Sequence, residues 1–145
     1  MRKRNSERGA AIIETAITLP LLLLVSVGIF EFGRAFQTWQ VMTNAAREGA
    51  RVAVLPNPAV GAAEARVRTY LKNGGLNNGP SVGVAINNVT IPMGATNVQG
   101  SRVAVNYPFT FIVLQPVAQL IVRGSLTGAP ITMTAVAEMR NETQF

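Results

Sequence analysis

The sequence contains no histidine and no cysteine. Those absences remove the side chain that titrates near neutrality, the thiol nucleophile and the usual ligands of structural zinc. Zinc and redox chemistry are excluded, no metal or cofactor is expected, and no disulfide can staple a small domain. Lysine is scarce as well: the only two are Lys3 and Lys72, so no serine or threonine hydroxyl has a convincing base to activate it. Glu48, Glu64, Glu138 and Glu142 show no clustering at calcium-loop spacing. Asn88-Val-Thr90 and Asn141-Glu-Thr143 match the glycosylation triplet, a pattern common by chance. No catalytic constellation emerges, no internal repeat is present, and the chain reads as a protein that is not an enzyme.

Positive charge is in excess, with a formal net charge of +6, but its distribution does not suit nucleic acid. Arg2, Lys3, Arg4 and Arg8 stand against Glu7 alone in the first nine residues, while the other nine basic and six acidic residues are scattered. A basic leader that runs into an apolar stretch stays on the cytoplasmic side and sends the C-terminal part of the chain across the membrane. The stretch here is Ala10 to Phe30. As a helix it spans about 31 Å, enough for the hydrocarbon core of a bilayer. It contains one carboxylate, Glu14, five residues after Gly9. An intramembrane carboxylate is costly and marks a functional site by default.

The helical period continues beyond the apolar stretch. Phe32, Phe36, Trp39, Thr43, Ala46, Ala50 and Val54 recur at three- and four-residue steps, with Glu31, Arg34, Gln37, Asn44, Arg47, Glu48 and Arg51 mostly off that stripe. One helix from about residue 10 to about 54 is expected, bent but not ended by Pro20 and stopped ahead of Pro56 and Pro58. Phe36 and Trp39 lie just outside the apolar span, where aromatic rings favour the membrane-water interface; packing against the soluble domain is the alternative. Ala46, Gly49 and Ala50, with Ala45 and Ala53, form a small-residue face that lets another backbone approach closely. Arg47, Glu48 and Arg51 read as a solvated face or as helix-surface or inter-subunit ion pairs.

Past Pro58, Ala62 to Lys72 reads as an amphipathic helix with Val67, Tyr70 and Leu71 inward, Glu64 and Arg68 paired, and Gly74 as its stop. The period then changes to two. Val82, Val84 and Ile86 alternate, Val89 and Ile91 continue weakly, and Val103 to Val113 form the clearest strand, with Pro108 pointing to an edge or a bulge. Gln115 to Val122 is a short helical connection, and Ile131 to Met139 a last strand. Leu76 to Pro80, Gly94 to Ser101 and Gly124 to Pro130 read as turns. The fold class is therefore α+β. A long transmembrane and amphipathic N-terminal helix precedes a small antiparallel sheet of three or four strands with one or two short helices. The expected division is a leader at 1–9, a transmembrane part at 10–30, an amphipathic continuation at 31–55 and an extracytoplasmic domain at 56–145.

Three readings of the N-terminus compete. Ser26-Val27-Gly28 offers a signal-peptidase site, although the apolar run is long for a secretory signal and flows on into an amphipathic helix. A plain single-span anchor accounts for the length. The third reading uses every feature: a basic leader ending in Gly9, an apolar helix opening at Ala10 and Glu14 as the fifth residue after the glycine resemble the type IV prepilin signal. Further on, Gly9-Ala-Ala-Ile-Ile-Glu-Thr-Ala-Ile-Thr-Leu-Pro-Leu-Leu-Leu-Leu, Glu31-Phe-Gly-Arg34 and Asn44-Ala-Ala-Arg-Glu-Gly-Ala-Arg51 are similar to the TadE-like family of tight-adherence (Flp, type IVb) pilus proteins. The resemblance covers residues 8 to 54, and Leu126-Thr and Met139-Arg-Asn-Glu142 are similar in style. Thr15 departs from the pattern, standing where Tad-system pseudopilins usually carry an aromatic residue.

The resemblance implies a pilin-like fold and a bacterial inner-membrane protein with its N-terminus cytoplasmic. It implies cleavage between Gly9 and Ala10 by a prepilin peptidase, and partners among the bilayer, other pilins or pseudopilins and Tad assembly proteins, with no nucleic acid. A new amine at Ala10 would then be neutralised by Glu14 of a neighbouring subunit, which sets the stagger of the helices. Glu14 hydrated near the cytoplasmic headgroups, with no specific contact, is the other account. From another functional class, an unprocessed membrane-anchored binding module of the envelope is the alternative to a minor pseudopilin or assembly factor.

Overall fold

The computed structural model describes residues 3–76, 79–94 and 96–141. The leader side chains, Arg2 among them, lie outside the described residues, as do Glu142, Thr143 and part of the turn expected at 76–80. The element order is α1 (Lys3–Ala53), α2 (Ala62–Asn73), β1 (Gly83–Met93), β2 (Thr96–Phe109), α3 (Leu114–Ile121) and β3 (Ile131–Arg140). The α+β class, the long first helix and the short helices are as the periodicity predicts.

Helix α1 continues through Pro20 and begins at Lys3, so it takes in the leader rather than starting after it. The proline cannot donate to Ala16, yet one missing bond does not end a helix with strong formers on both sides. Helix α2 ends where Gly74 donates its N–H to the Tyr70 carbonyl at 2.9 Å, as the stop signal predicts. The three strands form one antiparallel sheet in the order β1-β2-β3.

Two expectations about the sheet change. The expected turn at Gly94 to Ser101 is shorter than its composition suggests, because Thr96 to Ser101 pair with Asn88 to Met93 and extend the hairpin. Asn, Gly and Ser lower the strand signal there, but continued pairing with β1 outweighs a weak propensity. At the other end the strand stops at Phe109, leaving Phe111 and Val113 outside it. Pro108 sits in the central strand, opposite Thr132 of β3, but β1 reaches only Asn106. Its missing N–H therefore falls where β2 has a neighbour on one side alone, so the edge rule holds locally.

The chain divides into two compact units, one of residues 1–34 with 111–129 and one of residues 35–110 with 130–145. In the second unit Met42, Ala45, Ala46 and Ala50 of α1, Val67 and Leu71 of α2, Val82, Val103 and Val105, and Ala135 of β3 form the core. Each fully buried Val, Leu or Met contributes roughly 1.5–3 kcal/mol, and small alanines on α1 let α2 and the sheet approach it closely. Glu48 of α1 adds an ion pair to Arg66 of α2 at 2.9 Å and a longer one to Arg51 at 3.7 Å. The Arg66 hydrogen bond holds the Glu48 carboxyl below the usual carboxylate range. Glu64 and Arg68 pair at 2.8 Å, as expected from their spacing.

Candidate functional site in the N-terminal helix

From Ala10 to Phe30 the helix carries its apolar side chains outward on every side. Ile12, Ile13, Ile17, Leu19, Leu21 to Val25, Ile29 and Phe30 are each more than half exposed. Water would penalise that surface heavily, so a lipid or protein environment must cover it. The helix is long and apolar enough to cross a membrane. Within it Thr15 and Ser26 donate their hydroxyls to the carbonyls of Ala11 and Leu22, both at 2.8 Å, which satisfies their polarity inside the helix itself.

Gly9 and Ala10 lie within helix α1, which starts at Lys3, so the bond between them is in helical rather than extended backbone. Glu14 is exposed and makes no hydrogen bond or ion pair among the described residues. Phe36 and Trp39 are 60% and 44% exposed, with ring centroids 6.3 Å apart, so the sheet unit leaves them uncovered. The face buried by α1 is instead Thr38, Met42, Ala45, Ala46, Gly49 and Ala50, rotated by about one residue from the aromatic stripe. A Cβ on Gly49 would collide with Val67 of α2 and press on Val103 of β2, so the small-residue face receives the chain's own elements. Among the described residues no three carboxylates converge on one point.

The residue that sequence reasoning missed is Glu31. Its position off the apolar stripe puts it on a polar face, yet it is only 1% exposed. Its Oε1 accepts the backbone N–H groups of Ile112 at 2.7 Å, Val113 at 2.6 Å and, more weakly, Leu114 at 3.4 Å. The Arg34 guanidinium stands 3.4 Å from Oε2. Burial alone pushes this carboxyl up, but the three amide donors and Arg34 outweigh it and hold it below its ordinary value. The three donors belong to the start of α3, which has Val113 at its N-cap and no side-chain cap of its own. A helix N-terminus needs acceptors, and Glu31 supplies from α1 what the local sequence does not. That gap was the available signal: a helix with valine where serine, threonine, aspartate or asparagine is usual must find its acceptor elsewhere.

The first turn of α3 faces the apolar part of α1. Leu114 and Val117 share a groove of about 610 Å³ with Pro20, Leu21, Leu23, Leu24 and Val27. The return from α3 closes tightly on its start. Gly128 has a φ of +74°, and a Cβ there would stand 2.8 Å from the Gln115 nitrogen, so glycine is required on both counts.

Comparison with curated proteins and with solved structures gives no match. Residues 9–51, most of helix α1, do match the family model described as TadE-like protein, which is the family that the Gly9 to Leu24, Glu31 to Arg34 and Asn44 to Arg51 segments resemble.

Proposed function

We propose that this protein is a membrane-anchored minor pseudopilin or assembly factor of a bacterial tight-adherence pilus. It acts by subunit association and catalyses no reaction. The observation that carries this reading is the division of labour along one helix: an apolar half exposed on all sides and a second half that builds the core of a small α+β unit. The match of that same helix to the TadE-like family supports placing it among Tad pilus-associated proteins. In this reading Ala10 to Phe30 crosses the inner membrane with the leader on the cytoplasmic side, and the sheet unit lies outside. Phe36 and Trp39, exposed just beyond the span, sit at the interface.

A prepilin peptidase removes residues 1–9, and Glu14 pairs with the new Ala10 amine of a neighbour to set helix stagger. The exposure of Glu14 leaves it available for that contact. Because the Gly9–Ala10 bond is helical, cleavage requires the first turns to unwind in the peptidase. The remaining small residues of α1 that stay accessible, together with its apolar surface, receive other pilin helices in the assembled filament.

Intact-mass measurement of protein purified from membranes tests the proposal. A chain starting at Ala10 is the expected result. Retention of Met1 or Arg2 points to an unprocessed envelope-binding module, and a start at Ile29 would overturn both. Glu14→Gln and Glu14→Ala should reduce pilus-dependent adhesion; full adhesion with normal cleavage in both would refute the stagger role.

A further inference from the structure

We infer that α3 is a second membrane-embedded element, entering the outer half of the bilayer beside α1 and presenting its free face to lipid. The inference rests on the reading of residues 10–30 as membrane-spanning. It begins with depth. The groove residues on α1 run from Val27 back to Pro20, roughly 5 to 15 Å below the Phe30 end of the span at 1.5 Å per residue. A hydrocarbon core about 30 Å thick places that band within its outer half. Leu114 and Val117, which line the same groove, share that depth.

The chemistry of the segment agrees with the depth. Between Phe111 and Ala129 the only charged residue is Arg123. Ile112, Val117, Val122 and Leu126 are 56%, 40%, 58% and 83% exposed, so the segment carries an apolar surface of its own. Arg123 lies two residues past α3 and is exposed, and its long stem suits a charge held toward the headgroups rather than in hydrocarbon. Backbone polarity is the stricter test, because unsatisfied N–H groups are not tolerated in hydrocarbon. Here a buried carboxylate serves Ile112, Val113 and Leu114, so the start of α3 does not depend on water for its acceptor. Val122 closes α3 by donating to the Ala118 carbonyl, and past it Ser125 and Ala129 donate to Val122 and Leu126. That irregular return belongs at the headgroups, since loop backbone is not tolerated in hydrocarbon.

The absence of cysteine makes the test clean. Single nitroxide labels are placed by Val117→Cys, Val122→Cys, Leu24→Cys and Asn87→Cys in the full chain reconstituted in phosphatidylcholine vesicles. Power saturation then compares access of oxygen, which concentrates in lipid, with access of a water-soluble nickel chelate. Labels at 117 and 122 should shift toward oxygen as the label at 24 does, and opposite to the label at 87. Val122 does not line the groove, so its label keeps the test valid if the change at 117 disturbs packing. Nickel access at 117 and 122 with oxygen access at 24 overturns the inference and leaves the anchor standing. Nickel access at 24 overturns the anchor itself. Exclusion of both reagents at 117 and 122, with dipolar broadening at full labelling, means that a second copy covers α3 and also overturns the inference.

Discussion

Replacing Glu31 should loosen segment 111–129 while leaving the sheet unit intact. Glu31→Gln keeps an oxygen near the Ile112 and Val113 amides, now 2.7 and 2.6 Å away, but removes the charge. Hydrogen bonds to a charged acceptor contribute roughly twice what neutral ones do, so losing the charge at two short bonds costs about 1 kcal/mol each, about 2 kcal/mol together. At 1.4 kcal/mol per factor of ten, local opening of α3 rises about 30-fold. Glu31→Ala is harsher, since it leaves amide donors and Arg34 without the carboxylate; breaking such a buried arrangement costs about 3–5 kcal/mol. Hydrogen exchange on the full chain in lipid nanodiscs reads both effects residue by residue. Amides from Ile112 to Val122 should exchange about 30-fold faster in Glu31→Gln and more than 100-fold faster in Glu31→Ala, with Val103 and Val105 unchanged. Unaltered exchange at 112–122 in both variants would refute the clamp, and equal acceleration at Val103 and Val105 would show that its effect is global.

The remaining expectations concern pH and close packing. The Glu31 carboxyl is held below its ordinary value of 4.5, so the protection it confers is complete above that pH and is lost as pH falls through its lower folded value. Exchange in 112–122 should therefore be flat in protection from neutrality to pH 4.5 and lose protection below it in the wild type, whereas Glu31→Gln should show no such step. Gly49→Ala brings a Cβ against the stiff side chain of Val67. Overpacking of roughly 1–3 kcal/mol less about 1 kcal/mol of helix propensity predicts a net loss of about 1 kcal/mol, read as a lower thermal midpoint. In the Val67→Ala background the same change should cost less, and strict additivity would contradict the contact. Gly128→Ala should cost about 1–2 kcal/mol from the left-handed backbone alone, confined to exchange in 111–129.

Much of the fold is legible in the residues. Long-range periodicity marks α1, α2 and three strands, and prolines and glycines mark most of their ends, because these signals are local. The apolar span and Glu14 are equally plain, since a charge in a hydrophobic run needs no partner to be noticed. What escapes is whatever depends on partners distant in sequence. Thr96 to Ser101 become strand only because Asn88 to Met93 lie opposite. The buried face of α1 is chosen by α2 and β2, which leaves Phe36 and Trp39 outside and brings Thr38 and Met42 in. Glu31 reads as one more surface charge until the uncapped start of α3, eighty residues later, is placed against it.

The groove that α3 shares with Pro20 to Val27 also bears on how closely anything can pack beside the span. Leu21, Leu23 and Leu24 keep more than half of their surface open there. Whatever lies alongside this flank meets a notch of about 610 Å³ rather than a smooth cylinder. Flexible chains or large side chains fill such a notch, where small side chains would leave voids.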